Sequence, residues 1–233
     1  MGRFKSSLRS GFGSRRDVKS SNEITVITAI MGDYDDIPPV PEGFDDAVLV
    51  SDVPIKSDWT NVVMETQLPS RLASKIPKFR PDQFVQTSLS VWVDASMRDP
   101  DNWLYMACNE KLRTNDFVLF RHPDRSSIVD EVSASRDSPK YDQYPLEKQV
   151  DFYLSSGFQD DAGLFACGVI ARRHSSQISE FGNAWLMENM RWSIQDQLSF
   201  SYLIGKRALS VEVFDEHLWN GPLKWEHHKR PYS

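Results

Sequence analysis

The run SLSVWVDAS, residues 88–96, ends an apolar stretch in an acid, Asp94, followed by the small residues Ala95 and Ser96. Leu89, Val91 and Val93 alternate with Ser90 and Trp92, which predicts a buried strand over 88–93. In open α/β sheets the C-terminal edge of such a strand is where ligands sit. A carboxylate there can hold a divalent cation through hard oxygen contacts, and the cation can hold a diphosphate. Asp94 is therefore the expected centre of a nucleotide-sugar site. The competing expectation is an aspartate that caps the helix after it.

The elements that must position Asp94 can be read along the chain. Residues 23–30 (EITVITAI) are β-branched and apolar on both faces, as a central parallel strand should be. They run into the polar loop Met31-Gly32-Asp33-Tyr34-Asp35-Asp36. Strands are also predicted over 47–51, ending at Asp52, and over 59–64, 116–120, 163–171 and 208–214. Residues 66–79 predict a helix broken near Pro77, with Arg71, Lys75 and Lys78 on roughly one face. Asp99-Pro100 reads as a helix start, aspartate capping and proline at the first helical position. Further helices are predicted over 126–135, 146–156, 178–190 and 195–204, with Gly157 and Gly205 as stops. Strands alternating with helices argue for an α/β fold on a mainly parallel sheet. No GxGxxG or GxxxxGK occurs, so a dinucleotide fold or P-loop has no support.

The bulk numbers set outer bounds. The 233 residues suffice for one large core. Residues 1–22 predict a disordered basic leader and 23–233 a single domain. The first twenty residues carry +5 and the rest −11, within a net charge of −6. A basic tail on an acidic body admits nucleic acid as an additional partner. No run of 18 apolar residues occurs, so no membrane span is expected. Without a signal peptide, Cys108 and Cys167 are expected to be free buried thiols in a cytoplasmic protein.

Asp94 and Ser96, taken with the tail Asp215-Glu216-His217-Leu218-Trp219-Asn220-Gly221-Pro222-Leu223-Lys224-Trp225, resemble the metal site of GT-A glycosyltransferases. The glycogenin-like group adds to its Asp-x-Asp element a C-terminal His-x-x-Gly-x-x-Lys-Pro-Trp element. This tail is similar to it, with one extra residue before Gly221 and no proline between Lys224 and Trp225. The resemblance implies a single GT-A-like, Rossmann-like domain whose mixed, mainly parallel sheet is flanked by helices. It implies Asp94, Ser96 and His217 as metal ligands, and Gly221 and Lys224 on the diphosphate. Imidazole favours Mn²⁺ over Mg²⁺, which stands as the alternative. Ser96 departs from the pattern, since a hydroxyl is a weaker ligand than the second carboxylate.

A nearer resemblance runs in order from residue 24 to residue 203. Thr28-Ala29-Ile30-Met31-Gly32-Asp33-Tyr34-Asp35 and Val50-Ser51-Asp52 open it. Lys75, Trp92-Val93-Asp94-Ala95, His122-Pro123 with Arg125 and Glu131, and Gln149-Val150 with Tyr153 follow, and Asp196-Gln197-Leu198-Ser199-Phe200 closes it. Together they resemble the glycosyltransferase-like domain of the plant TOD/MUCI hexosyltransferase group. The resemblance implies an enzyme that passes a hexose or similar sugar from a nucleotide diphosphate sugar, a UDP-sugar first, to a hydroxyl on a glycan or other acceptor. Thr28, Ala29, Gly32, Asp33, Tyr34, Asp52, Arg71, Lys75 and Ala95 would surround the donor. His122, Arg125, Glu131, Trp192 and Gln197 would line the acceptor side or brace the site. Asp196 would act as base on the acceptor hydroxyl or hydrogen-bond the donor sugar, unless it is only a helix-terminal carboxylate. A binding module that kept the fold, and a sugar transferase acting on modified DNA, are the other classes the sequence leaves open.

Overall fold

The computed structural model describes residues 23–229, so the basic leader expected over 1–22 lies outside the described residues. The elements, in chain order, are β1 (Ile24–Ile30), β2 (Asp46–Ser51), β3 (Thr60–Val63), α1 (Ser70–Ala73), α2 (Lys75–Phe79), β4 (Leu89–Val93), β5 (Met97–Arg98), α3 (Trp103–Lys111), β6 (Phe117–Arg121), α4 (Ile128–Ser135), α5 (Leu146–Ser155), β7 (Phe165–Arg173), α6 (Ser176–Arg191), α7 (Asp196–Ile204), β8 (Val211–Val213) and β9 (Lys224–Trp225). Seven strands form one sheet in the order β3-β2-β1-β4-β7-β6-β8. Six run the same way and β7 runs against them. This is the mixed, mainly parallel α/β sheet expected.

Strand alternation divides the core between the two faces of the sheet. Ile27, Val48, Trp92, Leu119 and Ile170 face the helical layer of α2 and α4–α7. Val26, Leu49, Val91, Val118 and Val169 face α3 and the C-terminal Phe214, Leu218 and Leu223. The chain leaves β1 toward β2 on one side and returns to β4 on the other. The crevice between the ends of β1 and β4 is thus the topological switch point, where open α/β sheets bind ligands.

Some boundaries move from their expected places. The helix expected over 66–79 is two short helices that break at Ser74, not at Pro77. Pro77 stands in the first turn of α2, where its missing N–H is no loss. Helix α3 begins at Trp103, later than Asp99-Pro100 suggested. Asp99 still caps it, through carboxylate oxygens that accept from the Trp103 and Leu104 amides at 3.0 and 2.9 Å. Asp94 therefore has no part in capping. The tail contributes β9, which pairs antiparallel with β5. Both cysteines are free and buried, as expected.

Helix α2 is short and cannot hold its place alone. It is fixed by α6, where Trp185 stacks on Phe79 with ring centroids 4.0 Å apart. Trp185 also donates from its indole to Ser199 Oγ at 3.0 Å, on α7. Gly182, one turn before, permits this approach: a Cβ there would stand 2.1 Å from the Phe79 carbonyl oxygen. Gly182→Ala must push α6 off α2. Overpacking of this kind costs about 1–3 kcal/mol, so the melting temperature should fall by roughly 2–12 °C. An unchanged calorimetric midpoint would show that the α2–α6 contact does not set the position of α2.

Candidate active site

The C-terminal ends of β1 and β4, helices α1 and α2, the turn at 140–141 and the start of α7 enclose a cavity of about 280 Å³ at the switch point. Its floor is a network of charges built around two buried ones, Lys78 and Asp196. Lys78 is 4% exposed, and its Nζ lies 2.7 Å from Asp196 Oδ2 and 3.1 Å from Asp94 Oδ1. Lys75 Nζ lies 2.7 Å from the same Asp196 oxygen. Asp94 Oδ1 also accepts from the Trp92 indole at 2.7 Å. Lys75 and Lys78, three residues apart, meet on the cavity face of α2, as i,i+3 neighbours must.

The electrostatics follow from burial and pairing. Burial pushes the Asp196 carboxyl up, but Lys75 and Lys78 outweigh it and hold the group below its ordinary range. Burial lowers the Lys78 ammonium too, yet Asp196 and Asp94 together raise it above the usual lysine value. Lys75 has one carboxylate and two neighbouring lysines, so burial prevails and its value falls. Asp196 Oδ1 is buried without a hydrogen-bond partner, an acceptor left open at the cavity.

A second polar network fixes the segment leading into α7. Glu131, 2% exposed, accepts from Arg125 Nε at 2.5 Å, Gln195 Nε2 at 2.5 Å and Ser135 Oγ at 3.0 Å. Tyr141 donates to Gln195 Oε1 at 2.9 Å. Ser193 donates to the buried Gln149 at 2.6 Å, and Gln149 reaches Tyr153, which donates to Glu188 at 2.7 Å. The residue before Asp196 is thereby held from two sides.

This arrangement coincides with a family assignment. Residues 55–223 match the model of the TOD1/MUCI70 glycosyltransferase-like domain. The chain belongs to that family. It is also 29% identical over 165 residues to the probable hexosyltransferase MUCI70 of Arabidopsis thaliana, an alignment covering 64% of this chain. The chain spans about a quarter of that relative's length, 28%. Two solved structures resemble it more distantly. One is 4-diphosphocytidyl-2C-methyl-D-erythritol synthase from Anaerococcus prevotii, 13% identical, covering 83% of this chain and 87% of that one at a TM-score of 0.44. The other is the apo bifunctional glycosyltransferase WbbM, 11% identical, covering 87% and 40% at a TM-score of 0.44.

The cavity gathers Ala29, Gly32, Tyr34, Arg71, Lys75, Asp94, Ala95, Asp196 and Gln197 of the residues singled out in the sequence. Others stand behind it. Asp52 accepts from the Gly32 amide at 2.9 Å and shapes the loop after β1, where Gly32 has φ +69° and Asp33 φ 55°. Asp33 pairs with Lys229 at 3.1 Å. Thr28 points to the other face of the sheet, where it lines a separate cavity. His122, Arg125 and Glu131 form a polar cluster that reaches the site through Gln195. Trp192 packs on Phe152, with centroids 5.4 Å apart, and does not line the cavity.

The proposed tail element is not brought to the cavity. His217 Nδ1 accepts from the Trp219 amide at 3.2 Å, Gly221 turns against the His217 carbonyl, and Lys224 lies exposed in β9. The tail residue that does line the cavity is His228, whose Nδ1 lies 2.8 Å from Asp35 Oδ1. Spacing alone could not select it, because the pairing of β9 with β5 decides which histidine arrives. Lys78, Lys140, Tyr141 and Gln195 also line the cavity, and the sequence does not single them out as site residues; the spacing of Lys78 from Lys75 suits a solvated face equally well.

The donor set does not suit a divalent ion. Among the described residues no three His, Cys, Asp or Glu side chains converge as ligands would. Asp94 Oδ1 is engaged by an ammonium and an indole, and Ser96 Oγ accepts from the Trp225 indole at 3.2 Å.

Asp196→Asn would leave two buried ammoniums facing a neutral amide. Breaking a buried pair costs about 3–5 kcal/mol. Since the native carboxyl titrates below its unfolded value of about 3.9, its contribution is complete above that pH and vanishes as pH falls through the native value. Urea denaturation should therefore show a wide gap between wild type and variant at about pH 7 and a narrower one at about pH 3. Equal gaps at both would mean that the loss is not ionic.

Proposed function

We propose that this domain is a glycosyltransferase that binds a nucleotide diphosphate sugar in the switch-point cavity and passes the sugar to an acceptor hydroxyl. The observation that carries this reading is the pair of ammoniums, Lys75 and Lys78, held in the cavity by Asp196 and Asp94. Four basic residues line the cavity (Arg71, Lys75, Lys78, Lys140) against three acids (Asp35, Asp94, Asp196), in a chain of net charge −6. A leaving diphosphate develops negative charge, and preorganised cations at that point stabilise the transition state without reorganising. Membership of a glycosyltransferase-like family and the likeness to a probable hexosyltransferase support the same chemistry.

The roles follow from position. Lys78, kept charged by two carboxylates, and Lys75 face the diphosphate, with Arg71 and Lys140 further out along the lining. Gly32, at φ +69°, forms the turn after β1 that closes against Ser70 at the cavity edge. Asp196 is a poor base while two ammoniums share one of its oxygens; its open Oδ1 suits a sugar hydroxyl donor. In this reading the lysine pair supplies the positive charge that a metal supplies elsewhere, so a chelator should not matter.

Differential scanning fluorimetry against UDP-, GDP- and dTDP-sugars in excess EDTA tests this. One of these donors should raise the melting temperature, and added Mn²⁺ should not increase the rise. Lys78→Met should remove the shift. Arg71→Gln, outside the buried pairs, should weaken donor binding about tenfold or more, the loss of one charge-assisted hydrogen bond. If no donor shifts the wild-type protein with or without Mn²⁺, the reading fails. A shift that needs Mn²⁺ would return the cation role to a metal.

A further inference from the structure

The seven tryptophans differ in exposure, with Trp103 and Trp192 half-buried. Trp59, Trp92 and Trp185 are buried, at 5%, 3% and 0% exposure, whereas Trp219 and Trp225 are each 48% exposed. The two exposed rings are neighbours, with centroids 6.4 Å apart and planes at 61°. His227 extends the group, its ring 5.0 Å from Trp225 at 71°. Exposed indoles are costly to solubility, and a cluster of them on a protein surface marks a binding site.

Both indoles are held rather than loose. Trp225 donates to Ser96 Oγ at 3.2 Å, and Trp219 reaches Asp124 Oδ2 at 3.5 Å. The backbone beneath Trp225 is fixed by the β5–β9 pairing and by the Glu226 amide, which donates to the Ser96 carbonyl at 2.8 Å. Anchoring each ring by its N–H edge leaves the rest of the ring available and restricts its motion in advance, which lowers the entropy cost of binding. The surroundings are polar and of both signs: Lys224, Asn220, Asp124, and Glu226 paired with Arg98 at 2.5 Å. Such a rim offers hydrogen bonds without a strong net field.

The shelf is continuous with the cavity. Trp225 lies 6.2 Å from the ring of His228, which lines the cavity, and Ser96 follows Asp94 and Ala95, which line it too. We propose that Trp219, Trp225 and His227 form an aromatic shelf that binds a neutral oligosaccharide, the outer part of the acceptor whose end enters the cavity. Pyranose rings present apolar C–H faces to aromatic rings and hydroxyls to a polar rim, and the shelf provides both. A polyanion or a hydrophobic peptide would match the rim less well. The assignment rests on the glycosyltransferase reading above, and it deepens that reading by naming where the acceptor is held.

The test uses the full chain. Tryptophan fluorescence is quenched with acrylamide in the presence of cellohexaose, mannohexaose or a galactose hexamer. At least one of these should protect the wild-type protein. Trp219→Leu keeps apolar bulk but removes the aromatic face; it should lower that affinity at least tenfold while leaving the melting temperature and the nucleotide-sugar shift unchanged. Trp219→Phe should recover part of it. The shelf is overturned if no oligosaccharide protects the wild type, if Trp219→Leu binds as tightly as wild type, or if Trp219→Leu instead abolishes a concentration-dependent dimer in sedimentation. The donor-shift assay reads the cavity separately. A donor shift without oligosaccharide protection sinks the shelf alone, whereas no donor shift sinks the transferase reading.

Discussion

A lysine ammonium buried at 4% exposure is the constraint on which the site is built. An ion so placed is tolerated only if opposite charge reaches it with good geometry. Lys78 meets that condition with two carboxylates that the chain brings from different directions. Asp94 comes from the end of β4, and Asp196 from the first turn of α7. Three elements must therefore converge on one point, and each is braced to do so. Helix α2 is clamped by Trp185 and by the close approach at Gly182. The end of β4 is held by the Asp94 amide, which donates to the Gly168 carbonyl at 2.8 Å across the antiparallel pair with β7. The approach to α7 is tied through Gln195 and Ser193.

That last tie explains why the family resemblance includes residues remote from the cavity. Gln149 and Tyr153 on α5, and Glu131 on α4, are polar groups buried in an otherwise apolar layer. Buried polar groups specify structure only when every partner is present. Here their partners are Ser193 and Gln195, the residues just before Asp196. Arg125 balances the charge of Glu131, and the His122 ring meets the Arg125 guanidinium, so this constellation braces the residue before Asp196.

The sheet was largely legible because its strands are β-branched and apolar on both faces, a pattern helices seldom share. Asp94 stood out for the same reason: a charge ending such a strand has no packing explanation. Lys78 did not, because a lysine three residues from another on a helix reads as a solvated face. Only the long-range pairing with Asp196 reveals its burial. The helix start at Asp99 was legible as a cap but not in its length, since the carboxylate reaches over Asn102, at φ 55°, to amides four and five residues on. The choice between His217 and His228 was beyond local pattern altogether. It depends on the register Met97↔Trp225, a contact between segments more than a hundred residues apart.

The tail gains meaning from what it flanks. The family match, residues 55–223, contains α2, β4 and the start of α7, and with them the whole ion network. Two further parts of the cavity lining come from outside that span: the loop after β1 at one end of the chain, and His228 at the other. These two walls are joined to each other. His228 pairs with Asp35, Lys229 with Asp33 and Asp36, and the Tyr34 and His228 rings lie 4.7 Å apart. The chemistry of charge stabilisation thus sits in the shared segment, where any drift in geometry would strand a buried ion. The aromatic and acidic walls carry no buried charge of comparable cost. They can differ in shape without dismantling the floor.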